Sequence, residues 1–126
     1  QSELEALLAK HASSSVELIV VPDVSEWVQS NAPQLPRSRW GLALKDHSTG
    51  AAAIVVRQCF TEEQADSIMG RVAFSGVHNA FQLLGNPASF AHHLVLHELA
   101  HLENDWGQDR EAECDRWAAE RLSSGA

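Results

Sequence analysis

The chain has 126 residues, enough for one domain with its own core, and a single domain over 1–126 is expected. Acidic residues exceed Lys plus Arg by 17 − 9 = 8, and the basic residues are scattered, which argues against direct nucleic-acid binding. No apolar run approaches the ~20 residues of a membrane span. Two cysteines, Cys59 and Cys114, stand far apart and outside any CxxC pattern, as expected of a cytoplasmic, reducing setting. The first residue is Gln1, so the chain reads as a processed or truncated piece of a longer product.

SELEALLAKH spaces Leu4, Leu7, Leu8 and His11 along one face of an amphipathic helix. VELIVV, closed by Pro22 and Asp23, reads as a short buried strand, SEWVQS as a helical turn and NAPQLP as a loop. RWGLALKD and AAAIVVRQCF flank HSTG, the sequence form of a β-hairpin. Thr61 and Gln64 make a capping box for a helix whose stripe, Ile68, Val72, Phe81 and Leu84, is interrupted by Gly76. Asn86 as N-cap and Pro87 in the first turn open the next helix, which should run to about Asn104. DWGQD turns the chain, and from about Asp109 REAECDRWAAERL forms a last helix with Glu111, Asp115, Ala118 and Leu122 on one face. The expected fold class is α+β: a small twisted sheet with a hairpin, packed against the penultimate and last helices. Trp27, Trp40, Trp106 and Trp117 are spread out and read as core and groove packing.

The chemistry concentrates in VLHELAHLENDWGQDREAECDRW, Val95 to Trp117. On a helix, His97 and His101 are separated by about 40° and 6 Å, so both imidazoles leave one face and can clamp a single zinc ion. Glu98 lies about 100° round from His97, beside such an ion and not on it, where a general base belongs. A catalytic zinc takes three protein ligands and keeps one position for water, so the pair is one ligand short. A metzincin would have a third histidine six residues after His101, but that position is Gly107, so an acidic ligand is required. Because the DWGQD turn folds the last helix back antiparallel, Glu111 arrives at the height of His101 and is the first choice; Glu113, Asp105 and Asp109 stay open. Asp115, one turn on, is placed to accept the second ring N–H of a ligand histidine. His93, one turn before His97, is the candidate for contact with substrate or a developing oxyanion in a chain without tyrosine, with Arg71 and Arg110 as substitutes. His92 and His78 have weaker claims, and His11 and His47 read as surface residues.

HELAH followed by REAECDRWAAERL resembles the gluzincin metallopeptidases, whose active-site helix bears HExxH and whose next helix carries a glutamate ligand with an acidic or amide residue four later. Within that clan the chain is most similar to the ImmA/IrrE group, in which a strand hairpin precedes LAHELGH and the last helix reads E-x-x-A-N-x-F-A. Glu111, Cys114, Asp115, Trp117 and Ala118 stand at those positions here. The likeness is specific over about Leu94 to Leu122. Cys114 replaces the usual alanine, Ala100 replaces the glycine before the second histidine, and the spacing from His101 to Glu111 is short for a gluzincin. The resemblance implies a minimal zincin-like fold and a zinc metallopeptidase with one Zn2+ per chain on His97, His101 and Glu111, and with Glu98 activating the zinc-bound water. It also implies a protein or peptide substrate, such as an intracellular repressor, which could add by main-chain hydrogen bonds to AAAIVV if that strand lies at a sheet edge. The alternative is a non-catalytic zinc-binding interaction module of the toxin–antitoxin or phage-linked kind.

Overall fold

The computed structural model describes residues 2–31, 33–34, 41–46, 48–77 and 79–124, so Trp40, His47 and His78 lie outside the described residues. The elements run α1 (Ser2–His11), β1 (Glu17–Val21), α2 (Val24–Asn31), β2 (Gly41–Lys45), β3 (Ala52–Arg57), α3 (Glu62–Phe74), α4 (Ala80–Leu84) and α5 (Pro87–Asn104). A 3-10 turn at Gln108–Arg110 then leads into α6 (Glu111–Ser124). The fold is α+β, and among the described residues no helix is long and apolar enough to cross a membrane.

The sheet has the order β1-β3-β2. β2 and β3 form the antiparallel hairpin, with Gly41 opposite Val56 and Lys45 opposite Ala52, while β1 joins β3 in parallel with Glu17 opposite Ala53. Gly50 supplies the positive φ of 78° that the hairpin turn requires. β3 is apolar up to its last residue, Arg57, because both its faces are covered: Ile54 and Val56 pack with Leu8 of α1 and Leu96 and Leu99 of α5, and Val55 packs with Val24 and Val28 of α2. Two expectations change here. VELIVV is an edge strand and only partly buried, since it has a strand neighbour on one side. AAAIVV is the central strand, so its main-chain groups are taken on both sides and it cannot accept a peptide; among the described residues the edge beside α5 belongs to β2.

α5 is the axis of the molecule. It is buried on most of its circumference, through Phe90, His93, Leu94, Val95, Leu96, His97, Leu99 and Ala100, because the sheet, α1, α4 and α6 surround it. Its start is set locally: Asn86 Oδ1 accepts from the backbone N–H of Ala88 at 2.8 Å and Ser89 at 3.3 Å, and Pro87 fills a first-turn position that needs no donor. Asp105 ends it in the left-handed conformation, φ 54° and ψ 42°. The capping box of Thr61 and Gln64 opens α3, and Gly76, at φ 109°, separates α3 from α4. The apolar stripe expected to continue across that break holds for Leu84, which is buried, but Phe81 is 54% exposed because α4 presents its other face to α5.

An N-cap at the head of the central helix has a measurable cost of removal. Asn86→Ala should lower the unfolding free energy by about 1 kcal/mol in urea titrations, the usual loss for a capping side chain. A change of only a few tenths would mean that packing alone positions the start of α5.

Candidate metal centre

α5 and α6 lie side by side, and the short 3-10 turn between them decides which acidic residue meets the histidine pair. His97 Nε2 and His101 Nε2 each lie 2.8 Å from the same atom, Glu111 Oε2. The other nitrogen of each ring is engaged outward: His97 Nδ1–H donates to Asp115 Oδ1 at 2.7 Å, and His101 Nδ1–H donates to the Trp106 carbonyl at 2.8 Å. Both rings are therefore held with Nε2 aimed at one point, the orientation that metal-ligating histidines receive from carboxylate and carbonyl partners. His97, His101, Glu111 and Cys114 offer four donor atoms within 4.8 Å of one another, a group that could hold a metal ion. Two imidazoles, a carboxylate and a thiol are a donor set suited to zinc.

Asp115 sits beneath this group with no exposure. Besides His97 it accepts from His93 Nε2–H at 3.0 Å and from Arg71, whose Nε–H reaches Oδ2 at 3.2 Å and whose Nη2–H reaches Oδ1 at 3.4 Å. His93, His97 and Asp115 form a second cluster of possible ligands, but it uses the Nδ1 that orients His97 and is buried on all three members. Its geometry supports the first cluster. His93, expected from sequence at substrate or an oxyanion, is fully buried and is not among the residues that line the cleft; its Nε2–H goes to Asp115, and among the described residues its Nδ1 has no hydrogen-bond partner. One helical turn along α5 takes the histidine face from the open cleft to the floor under α6.

The other acidic candidates stand outside this donor group, although Asp105 lines the same cleft. Glu113 lies 3.5 Å from Arg110, Asp109 is exposed 4.0 Å from the same guanidinium, and Asp105 is the exposed cap of α5. Glu98 stands on the flank of the pair. Its carboxylate lies against the first residue of β2, where a Cβ on Gly41 would come within 2.9 Å of Glu98 Oε2. Gly41 was not singled out from sequence; a glycine opening a strand next to the motif helix was the available sign. His97, Glu98, His101, Glu111 and Arg71 line a cleft of about 740 Å³ whose wall is the β2 edge from Gly41 to Lys45.

Burial opposes charge on His97, but the Asp115 and Glu111 carboxylates outweigh it and lift its pKa to about 10. The neighbouring Cys114 side chain and the Glu111 carboxylate raise His101 to about 11. Burial pushes Glu111 up, and hydrogen bonds from His101 and His97 more than reverse this, bringing it to about 2. Asp115 is likewise pushed up by burial and carried well below the usual carboxylate range by His93 and His97. Desolvation holds His93 below the usual imidazole value and raises Glu98. Two ring protons aimed at one carboxylate oxygen carry the charge of one divalent cation, so an ion that takes their place leaves the local charge unchanged.

No family model matches the chain, and neither a curated protein nor a solved structure matches it.

Two measurements test this centre. Glu111→Ala should cost far more zinc affinity than Glu113→Ala or Asp105→Ala in competition with a chromogenic chelator; zinc retained by Glu111→Ala and lost by Glu113→Ala would refute the grouping. The second concerns the metal-free protein. His97 and His101 have folded pKa values above the unfolded value of about 6.5, so the stability they add is complete below that pH and is lost as pH rises toward 10 and 11. Glu111 and Asp115 lie below their unfolded values of about 4, so their contribution is present above that pH and is lost on acidification. With chelator present, Tm should peak between about pH 4.5 and 6.5 and fall on both sides. A Tm that climbs between pH 6.5 and 9 would contradict this charge arrangement.

Proposed function

We propose that the protein is a zinc-dependent metallopeptidase of the gluzincin type, similar to the ImmA/IrrE group, acting in the cytoplasm on a protein or peptide such as a repressor. The observation that carries this reading is the meeting of His97 Nε2, His101 Nε2 and Glu111 Oε2 with both Nδ1–H groups engaged elsewhere. These three residues would hold one zinc ion, with Asp115 orienting His97. Bound there, zinc supplies a Lewis acid for a peptide carbonyl and lowers the pKa of water.

The chain's own groups supply the rest. Glu98 takes the proton of the attacking water on its carboxylate and passes it to the leaving amine; its raised pKa brings it closer to neutrality, where such a transfer is efficient. The β2 edge along the cleft, from Leu42 to Lys45, offers main-chain groups to an extended substrate, the role considered for AAAIVV on the condition that it lay at a sheet edge. Arg71 lines the same cleft and keeps N–H groups beyond the two it gives Asp115, so it takes the oxyanion-contact role first considered for His93. A second reading, a non-catalytic zinc-binding interaction module, is favoured by one observation: the buried Cys114 lies among the three ligands and could fill the position that catalysis needs open.

Glu98→Gln separates binding from catalysis, since it keeps size and hydrogen bonding but cannot accept the proton. Zinc content and fold should persist while cleavage of an unstructured protein substrate falls by about 10² to 10⁴. Equal cleavage by both proteins would rule out the mechanism. Zinc bound by both with no cleavage by either, across a peptide library, would select the non-catalytic module.

A further inference from the structure

Cys114 is fully buried and stands one helical turn after Glu111 on α6, so both residues face α5. Its Sγ belongs to the set of four donor atoms within 4.8 Å of one another. Tetrahedral bonds of about 2.0 Å to nitrogen or oxygen and 2.3 Å to sulfur put donor atoms about 3.3 to 3.5 Å apart, so side-chain adjustments of about an ångström bring all four onto one ion. Glu111 and Cys114 sit on one rigid helix, His97 and His101 on the other, and the buried Asp115 network locks the two together. Cys59, the other cysteine, is exposed and does not belong to this group.

We infer that Cys114 Sγ is a fourth ligand to the ion, so that the resting centre is closed by two imidazoles, one carboxylate and one thiolate. Coordination forms one sulfur–metal bond and releases the thiol proton to solvent. A thiolate also biases the centre toward zinc and cobalt and against magnesium, calcium and manganese. On the peptidase reading, substrate or water must displace this sulfur before the ion can act, so Cys114 holds the enzyme latent. The inference rests on the metal-binding half of the proposed function and not on its cleavage half.

Co2+ is the probe, titrated into the Cys59→Ser protein with absorbance followed from the near ultraviolet to the visible. The visible ligand-field bands should appear together with a near-ultraviolet thiolate-to-cobalt charge-transfer band. Adding Cys114→Ser should abolish the charge-transfer band and leave the visible bands, and Cys114→Ala, which introduces no polar group into the buried position, should do the same; circular dichroism identifies a variant that has not folded. Visible bands without charge transfer in the Cys59→Ser protein would overturn the fourth ligand while leaving the three-ligand centre intact, and so would a charge-transfer band that survives both substitutions. No cobalt bands and no zinc uptake at all would remove the metal centre itself, and the fourth ligand with it.

Discussion

A carboxylate with no access to water organises this molecule. Desolvating Asp115 costs several kcal/mol unless donors surround it, and here His93, His97 and Arg71 direct four N–H groups to its two oxygens. Two of those residues belong to α5 and one to α3, while the carboxylate belongs to α6, so satisfying one buried charge fixes the mutual placement of three helices. The apolar contacts of Leu94 and Ala119 close around the same junction. Because an ionised carboxylate only accepts, it also decides the state of His97: Nδ1 must carry the proton, which leaves Nε2 to face the cleft.

Around that anchor the polar groups separate by depth. Asp115 and His93 are sealed in and serve geometry, whereas the Glu111 side chain is 41% exposed and stands at the floor of the open cleft. Glu98 is intermediate. It is crowded against Gly41 at the point where β2 begins, which ties the base on the helix to the strand edge that forms the cleft wall. The sheet and the helix pair are thus coupled through the missing side chain of one glycine.

Much of this was legible in the residues because its causes are local. Asn86, Pro87, Thr61 and Gln64 act within a few positions of themselves, the hairpin is marked by its own loop, and the four-residue step from His97 to His101 needs only a helix to have meaning. What was not legible depends on partners distant in sequence. VELIVV and AAAIVV look equally apolar, and which becomes the central strand depends on a parallel pairing between residues as far apart as Glu17 and Ala53. His93 and His97 share a face of α5, and only the burial of Asp115 sends one to the floor and leaves the other at the cleft. Glu111 is already the first choice over Glu113 from the DWGQD turn, but the 3-10 turn that sets where α6 begins, and so brings Glu111 to both histidines, was not foreseen. Cys114 looked like a mild replacement for alanine until the helix face it shares with Glu111 was placed against His101.

That 3-10 turn also constrains how this chain can vary over evolutionary time. Surface loops usually absorb added or lost residues at little cost, and the hairpin loop near Gly50 has that freedom. The connection from Asp105 to Arg110 does not. With the backbone path kept, one inserted residue would bring Arg110 into the place of Glu111, a cation facing two imidazoles, and one deleted residue would bring Ala112 there, with no donor atom. Each step in length turns the α6 face by about 100°, so Cys114 and Asp115 would leave their partners together with Glu111. Among relatives of this protein, length changes should accumulate in the other connections and be purged from this one.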